Sequence, residues 1–93
     1  MTTITSEKIR LLIADDHTIL RQGLRRILEE QHDMEVVGEA ATGTDAVTLA
    51  EELHPDIVIM DISMPGQNGI ESARQISMHG DSRVLVLTVH LER

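Results

Sequence analysis

The chain has 93 residues, with 8 Lys and Arg against 16 Asp and Glu, and a formal net charge of −8. That length fits one small domain, and 41 % hydrophobic with 26 % charged residues is the composition of a folded globular chain. Net acidity speaks against a nucleic-acid groove or an anionic membrane as direct partner, and the lack of Cys excludes disulfides and thiolate chemistry. The lack of Phe, Tyr and Trp removes any stacking platform for bases. No apolar run approaches the ~18 residues that cross a bilayer and no signal-peptide core is visible, so the expected setting is the cytoplasm.

Met1–Glu7 is polar and unpatterned and reads as a flexible N-terminal tail, leaving 8–93 as the domain. Lys8 to Ala14 is aliphatic and short enough to be a buried strand, ending at Asp15 and Asp16. The next segment is predicted helical, with Leu20, Leu24, Ile27 and Leu28 on one stripe and Arg21, Arg25, Glu29 and Glu30 on other faces. Gly23 within it predicts close packing against a neighbour. Met34 to Ala40 is a second strand. Thr42-Gly43-Thr44 is a turn with a helix cap, opening a helix through Ala46, Val47, Leu49, Ala50 and Leu53 that Pro55 stops. Ile57 to Met60 is a third strand, ending at Asp61. Pro65, Gly66, Asn68 and Gly69 mark a loop. Ile70, Ala73 and Ile76 define a third helix closing near Gly80, and Arg83 to Thr88 is a fourth strand.

The alternation β-α-β-α-β-α-β predicts right-handed crossovers and a doubly wound, mostly parallel α/β sheet. Ligands of such sheets bind beyond the carboxyl ends of the strands, where strand order reverses. Asp15, Asp16, Asp61 and Thr88 all end strands and are expected on that edge. Crowded carboxylates repel, and a hard divalent cation such as Mg²⁺ relieves the repulsion with oxygen ligands. An Asp in such a site can attack phosphorus, while the Thr88 hydroxyl and the Ser63 carbonyl are placed to hold the phosphoryl oxygens and the metal. The His residues show no i, i+4 pair and no zinc spacing. His17 reads as a helix-start residue, and His32, His54 and His79 as surface residues. The Met residues read mostly as packing, with Met64 shaping a loop.

The pair Asp15-Asp16, the run Met60-Asp61-Ile62-Ser63-Met64-Pro65-Gly66 with Asn68-Gly69, and Leu87-Thr88 resemble the receiver domain of bacterial two-component response regulators. Ala14-Asp15-Asp16-His17 and Leu87-Thr88-Val89-His90 are similar to the NarL/FixJ-like branch, whose receivers precede a LuxR-type helix-turn-helix. The resemblance runs from Ile9 to the last residue. It implies a flavodoxin-like fold, with Asp61 as phosphoacceptor and Thr88 as the switch hydroxyl contacting the phosphoryl group. Asp16 would ligate Mg²⁺ directly and Asp15 largely through water, with Asp61 and the Ser63 carbonyl completing the protein ligands. Ser63 and His90 match positions that tune phosphate lifetime, and Val89 is bulkier than the small residue many receivers carry.

The resemblance also implies a fourth helix, a fifth strand ending in a lysine, and a fifth helix beyond Arg93. The one lysine here is Lys8, so the receiver is expected to be incomplete at its C-terminus, as a fragment or as part of a longer molecule. The implied partners are a sensor histidine kinase and DNA, the latter only through a C-terminal domain absent from these residues. An exposed fourth strand implies a homodimer or strand-exchanged oligomer, and no membrane is implied. The implied role is a phosphorylated signalling domain rather than an enzyme. Two other classes remain: an assembly module that is not phosphorylated, and a Mg²⁺ phosphatase of the haloacid-dehalogenase type. Ser63 occupies the position where the phosphatase class wants a second Asp.

Overall fold

The computed structural model describes residues 8–62, 64 and 69–87. Seven elements follow one another: β1 (Ile9–Ala14), α1 (Thr18–Glu29), β2 (Met34–Ala40), α2 (Gly43–Leu53), β3 (Ile57–Asp61), α3 (Gly69–His79) and β4 (Arg83–Leu87). All strand pairs are parallel, in the order β2-β1-β3-β4. The chain steps from β1 to β2 in one direction and from β2 through β3 to β4 in the other. Right-handed crossovers therefore place α1 on one face and α2 with α3 on the other.

β1 lies inside the sheet, and Leu11 to Ala14 are all buried. Their side chains alternate between faces, so the strand needs apolar residues at every position. Leu12 and Ala14 join Ala40, Ala46, Ala50, Val58, Met60, Met64 and Ile76 in the core under α2 and α3. Met64 is thus a core residue rather than merely a loop former. The β1–β2 register slips by one residue between Leu11 and Leu12, which pair with Val36 and Gly38. Gly38 sits under α2, where an added Cβ would lie 2.8 Å from Leu53 Cδ1. Thr42 caps α2 as expected, its side chain accepting from the Asp45 amide at 3.1 Å.

The amino-terminal edge of the sheet is closed by Asp56. Its Oδ2 accepts from the Arg10 amide at 2.8 Å, its own amide donates to Arg10 O at 2.9 Å, and its carbonyl accepts from the Arg83 amide at 3.0 Å. Ser82 Oγ donates to Pro55 O beside it at 2.6 Å.

Two expectations about α1 fail. Gly23 is exposed, and among the described residues nothing lies within 4 Å of an added Cβ, so they supply no close approach there. The stripe is also rotated: Ile27 is 60 % exposed, while Arg21, Leu24, Arg25 and Leu28 are the partly buried positions. Arg21 and Arg25 turn inward because Glu39 on β2 binds both. On the far edge, β4 leaves Leu85 and Val86 exposed. Among the described residues, no helix is long and apolar enough to cross a membrane. The tail expected at 1–7 lies outside the described residues.

Candidate metal and phosphoryl site

Asp15 follows the last residue of β1, and Asp61 is the last residue of β3. Because Ala14 pairs with Met60, the strand register carries both Asp residues to the same edge. Asp61 pairs on its other side with Leu87 of β4. This is the crevice where strand order reverses, the place a doubly wound sheet offers to a ligand. One ligand atom each from Asp15, Asp16, His17 and Asp61 all lie within 4.8 Å of one another. Asp15 and Asp61 are 4 % and 1 % exposed, whereas Asp16 is half-buried and His17 faces solvent.

The loop holding the acidic pair is tightly anchored. The Asp15 amide donates to Ala40 O at 2.9 Å, and the Asp15 carbonyl accepts from Arg21 Nη1. Asp15 Oδ1 accepts from the His17 amide at 2.7 Å, closing the turn that opens α1. His17 starts that helix, as expected, but without a capping side-chain bond. Its ring turns to the acids instead, with Nδ1 3.1 Å from Asp15 Oδ1 and 3.2 Å from Asp16 Oδ1. The hydrogen bond to Asp15 raises the His17 pKa above its ordinary value, helped by the charges of Asp16, Asp15 and Asp61 and opposed by burial.

The donor set is made of carboxylates, hard oxygen ligands of the kind Mg²⁺ takes, gathered where two of them are nearly shielded from water. Such a set fits a hard divalent cation. Ser63 and Thr88, expected beside it, lie outside the described residues, as do Val89 and His90. His32, His54 and His79 are exposed and stand apart from the acids. A cavity of about 360 Å³ between α2 and α3, lined by Val47, Ala50, Ile76 and Ser82 among others, includes none of the three Asp residues.

Sequence reasoning missed His17 as a neighbour of the acids and Arg21 as an anchor of their loop. The first had a signal, a His directly after two Asp. The second had none locally, because its partner Glu39 lies on another strand.

A parallel α/β sheet with buried carboxylates at its switch point is a doubly wound fold whose site can hold a cation and a phosphoryl ligand. Within that class, residues 11–93 match the model of the response regulator receiver domain, and the chain belongs to that family. It is 46 % identical over 85 residues to the transcriptional regulatory protein LiaR of Bacillus subtilis, covering 90 % of this chain and 40 % of LiaR. It is likewise 46 % identical over 85 residues to the response regulator UvrY of Escherichia coli, covering 90 % of this chain and 39 % of UvrY. A crystal structure of a LuxR-family two-component response regulator from Aurantimonas sp. SI85-9A1 superimposes with a TM-score of 0.82. The two are 42 % identical, and the match covers 91 % of this chain and 61 % of the other. The chain spans about two-fifths of the length of the curated relatives it matches. It is a receiver domain of the LuxR/NarL type, a signalling domain with a flavodoxin-like fold.

Proposed function

We propose that this receiver takes a phosphoryl group onto Asp61 from a phosphohistidine of a sensor histidine kinase, with Mg²⁺ held by Asp15, Asp16 and Asp61. The observation that carries this reading is the convergence of those carboxylates within 4.8 Å at the ends of β1 and β3. A carboxylate oxygen of Asp61 forms the new bond to phosphorus as the bond to the histidine nitrogen breaks, and the electron pair leaves with the imidazole. A Mg²⁺ ion held by these three carboxylates would supply positive charge to offset that on the transferring oxygens. Asp15 and Asp16 orient it, and the buried position of Asp61 limits access of water to the acyl phosphate. Family resemblance adds the Ser63 carbonyl to the ligands and gives the Thr88 hydroxyl the task of gripping the phosphoryl group. Self-phosphorylation from a small phosphodonor and slow self-dephosphorylation are the only self-catalysed chemistry the reading requires.

In the whole protein the switch would act on a DNA-binding output domain in the cytoplasm, as the names of the relatives suggest. For the described residues taken alone, the exposed Leu85 and Val86 on β4 are what a homodimer or strand-exchanged oligomer would cover. The test is intact mass spectrometry after incubation with acetyl phosphate. One phosphoryl group should be added with Mg²⁺ present and none without it or in Asp61→Asn. Labelling of Asp61→Asn at the same stoichiometry would overturn the assignment, and multiple turnover of a phosphate ester would favour a phosphatase.

A further inference from the structure

The geometry points to Arg21 as a positioning residue: held by Glu39, it clamps the main chain of Asp15 and so sets how the Asp15–Asp16 pair meets a divalent cation. The inference rests on the cation reading proposed above. Arg21 stands one turn into α1, its amide donating to His17 O at 2.9 Å. Its guanidinium spans two other elements. Nε donates to Glu39 Oε1 on β2 at 2.8 Å, and Nη1 donates to the Asp15 carbonyl. The Arg21 and Glu39 side chains are 16 % and 22 % exposed, so the pair is largely withdrawn from water. Glu39 Oε2 is occupied by Arg25, which fixes the carboxylate from its other side.

The Asp15 carbonyl belongs to the peptide plane that leads into Asp16. Its neighbouring plane is fixed by the Asp15 amide, which donates to Ala40, the residue after Glu39. β2 therefore holds the acidic loop twice, directly through Ala40 and through the Glu39–Arg21 bridge. Rotation of the plane between Asp15 and Asp16 would swing the Asp16 carboxylate, and Arg21 is the group that opposes it. Only a planar fork can reach both acceptors, so a lysine keeps the charge and loses the bridge.

Charge and position make opposite predictions. Arg21 is a cation near a cation site, so Coulomb repulsion alone means that removing it tightens Mg²⁺ binding. A positioning role means that removing it weakens binding, and partners that orient metal ligands typically matter ~10-fold or more. A merely structural role lowers thermal stability and leaves the affinity of the folded protein unchanged.

The experiment is a Mg²⁺ titration of the chain and its variants, followed by NMR on the amides of Asp16 and His17 in the folded state. Arg21→Gln and Arg21→Lys are both expected to raise the Kd about 10-fold. Glu39→Gln is expected to raise it less, by about 3-fold, and to add little on top of Arg21→Gln. An Arg21→Gln Kd equal to or below that of the wild type overturns the inference, as does a wild-type Kd in Arg21→Lys. If the Arg21 variants do not fold, Glu39→Gln decides, and an unchanged Kd there overturns the inference. A wild type with no saturable Mg²⁺ response overturns the cation reading and this inference together.

Discussion

A Cβ added to Gly69 would lie 2.6 Å from Ile62 Cα and 2.9 Å from its carbonyl oxygen. The first residue of α3 therefore rests directly on the backbone one position beyond Asp61, and no flexible side chain can yield. Gly69→Ala is expected to destabilise the fold by about 2–3 kcal/mol through this backbone overlap. It should also slow phosphoryl uptake, because Ile62 must move and Asp61 adjoins it. Urea unfolding followed by far-ultraviolet circular dichroism measures the first effect, and intact mass over time the second. A variant as stable as the wild type would show that the contact relaxes freely.

Glu39 supplies the pH dependence. Hydrogen bonding from Arg25, reinforced by Arg21, holds its carboxyl below the usual carboxylate range against the opposing effect of burial. A carboxylate with a lowered folded pKa adds stability above its unfolded pKa of about 4.3, and that stability disappears as pH falls through the folded value. Glu39→Gln is expected to cost about 1 kcal/mol at pH 7, and the gap to the wild type should close below pH 4. Urea midpoints from pH 7 to pH 3 read this directly. A gap that stays constant with pH would assign the cost to packing instead.

Ser72 is fully buried on the inner side of α3, and its Oγ has no hydrogen-bond partner among the described residues. Alanine removes the unsatisfied hydroxyl and favours the helix. Ser72→Ala should raise stability by about 1 kcal/mol, seen as a higher Tm. An unchanged or lower Tm would mean that the hydroxyl is satisfied in solution.

Asp61→Asn removes one charge from a crowded group of carboxylates. Without divalent cations the variant should be more stable than the wild type by about 1 kcal/mol, since repulsion is relieved. Added Mg²⁺ should raise the wild-type Tm and leave that of the variant nearly unchanged. An equal Mg²⁺ response in the two proteins would place the cation elsewhere.

His54 ends α2 in the left-handed region at φ 51, ψ 57. A residue with a Cβ is strained there by about 1 kcal/mol, and glycine is not. His54→Gly should therefore be neutral or modestly stabilising by thermal unfolding, even though the chain gains freedom when unfolded. A marked loss would reveal a contact of the imidazole that outweighs the backbone relief.

The strands were legible in the sequence because each is a short apolar run ended by a polar residue. Asp15, Asp16 and Asp61 could be gathered in advance because parallel topology brings strand ends together without knowledge of side-chain packing. The orientation of α1 was not legible. Periodicity assigned Arg21 and Arg25 to other faces than its apolar stripe, and only Glu39 on another strand turns them inward. Gly23 misled for a related reason, since a helical glycine reads the same whether it meets a neighbour or open water. The ring of His17 was assigned to a helix start, where its backbone indeed sits, and its approach to the acids depends on a side-chain torsion the sequence does not encode visibly.

The burial of β1 on both faces has a kinetic meaning. Leu11 pairs with Val36 on one side and with Ile57 on the other, both far along the chain, and nothing adjacent in sequence can shield it. All of its partners must be brought together across long loops before the strand is covered, so nucleation of this sheet is slow and non-local. The end of β1 that presents Asp15 and Asp16 is set only when that assembly closes. Cation affinity should consequently arise in one step with the native state, making Mg²⁺ capture a reporter of completed folding that no half-formed hairpin or isolated helix can imitate.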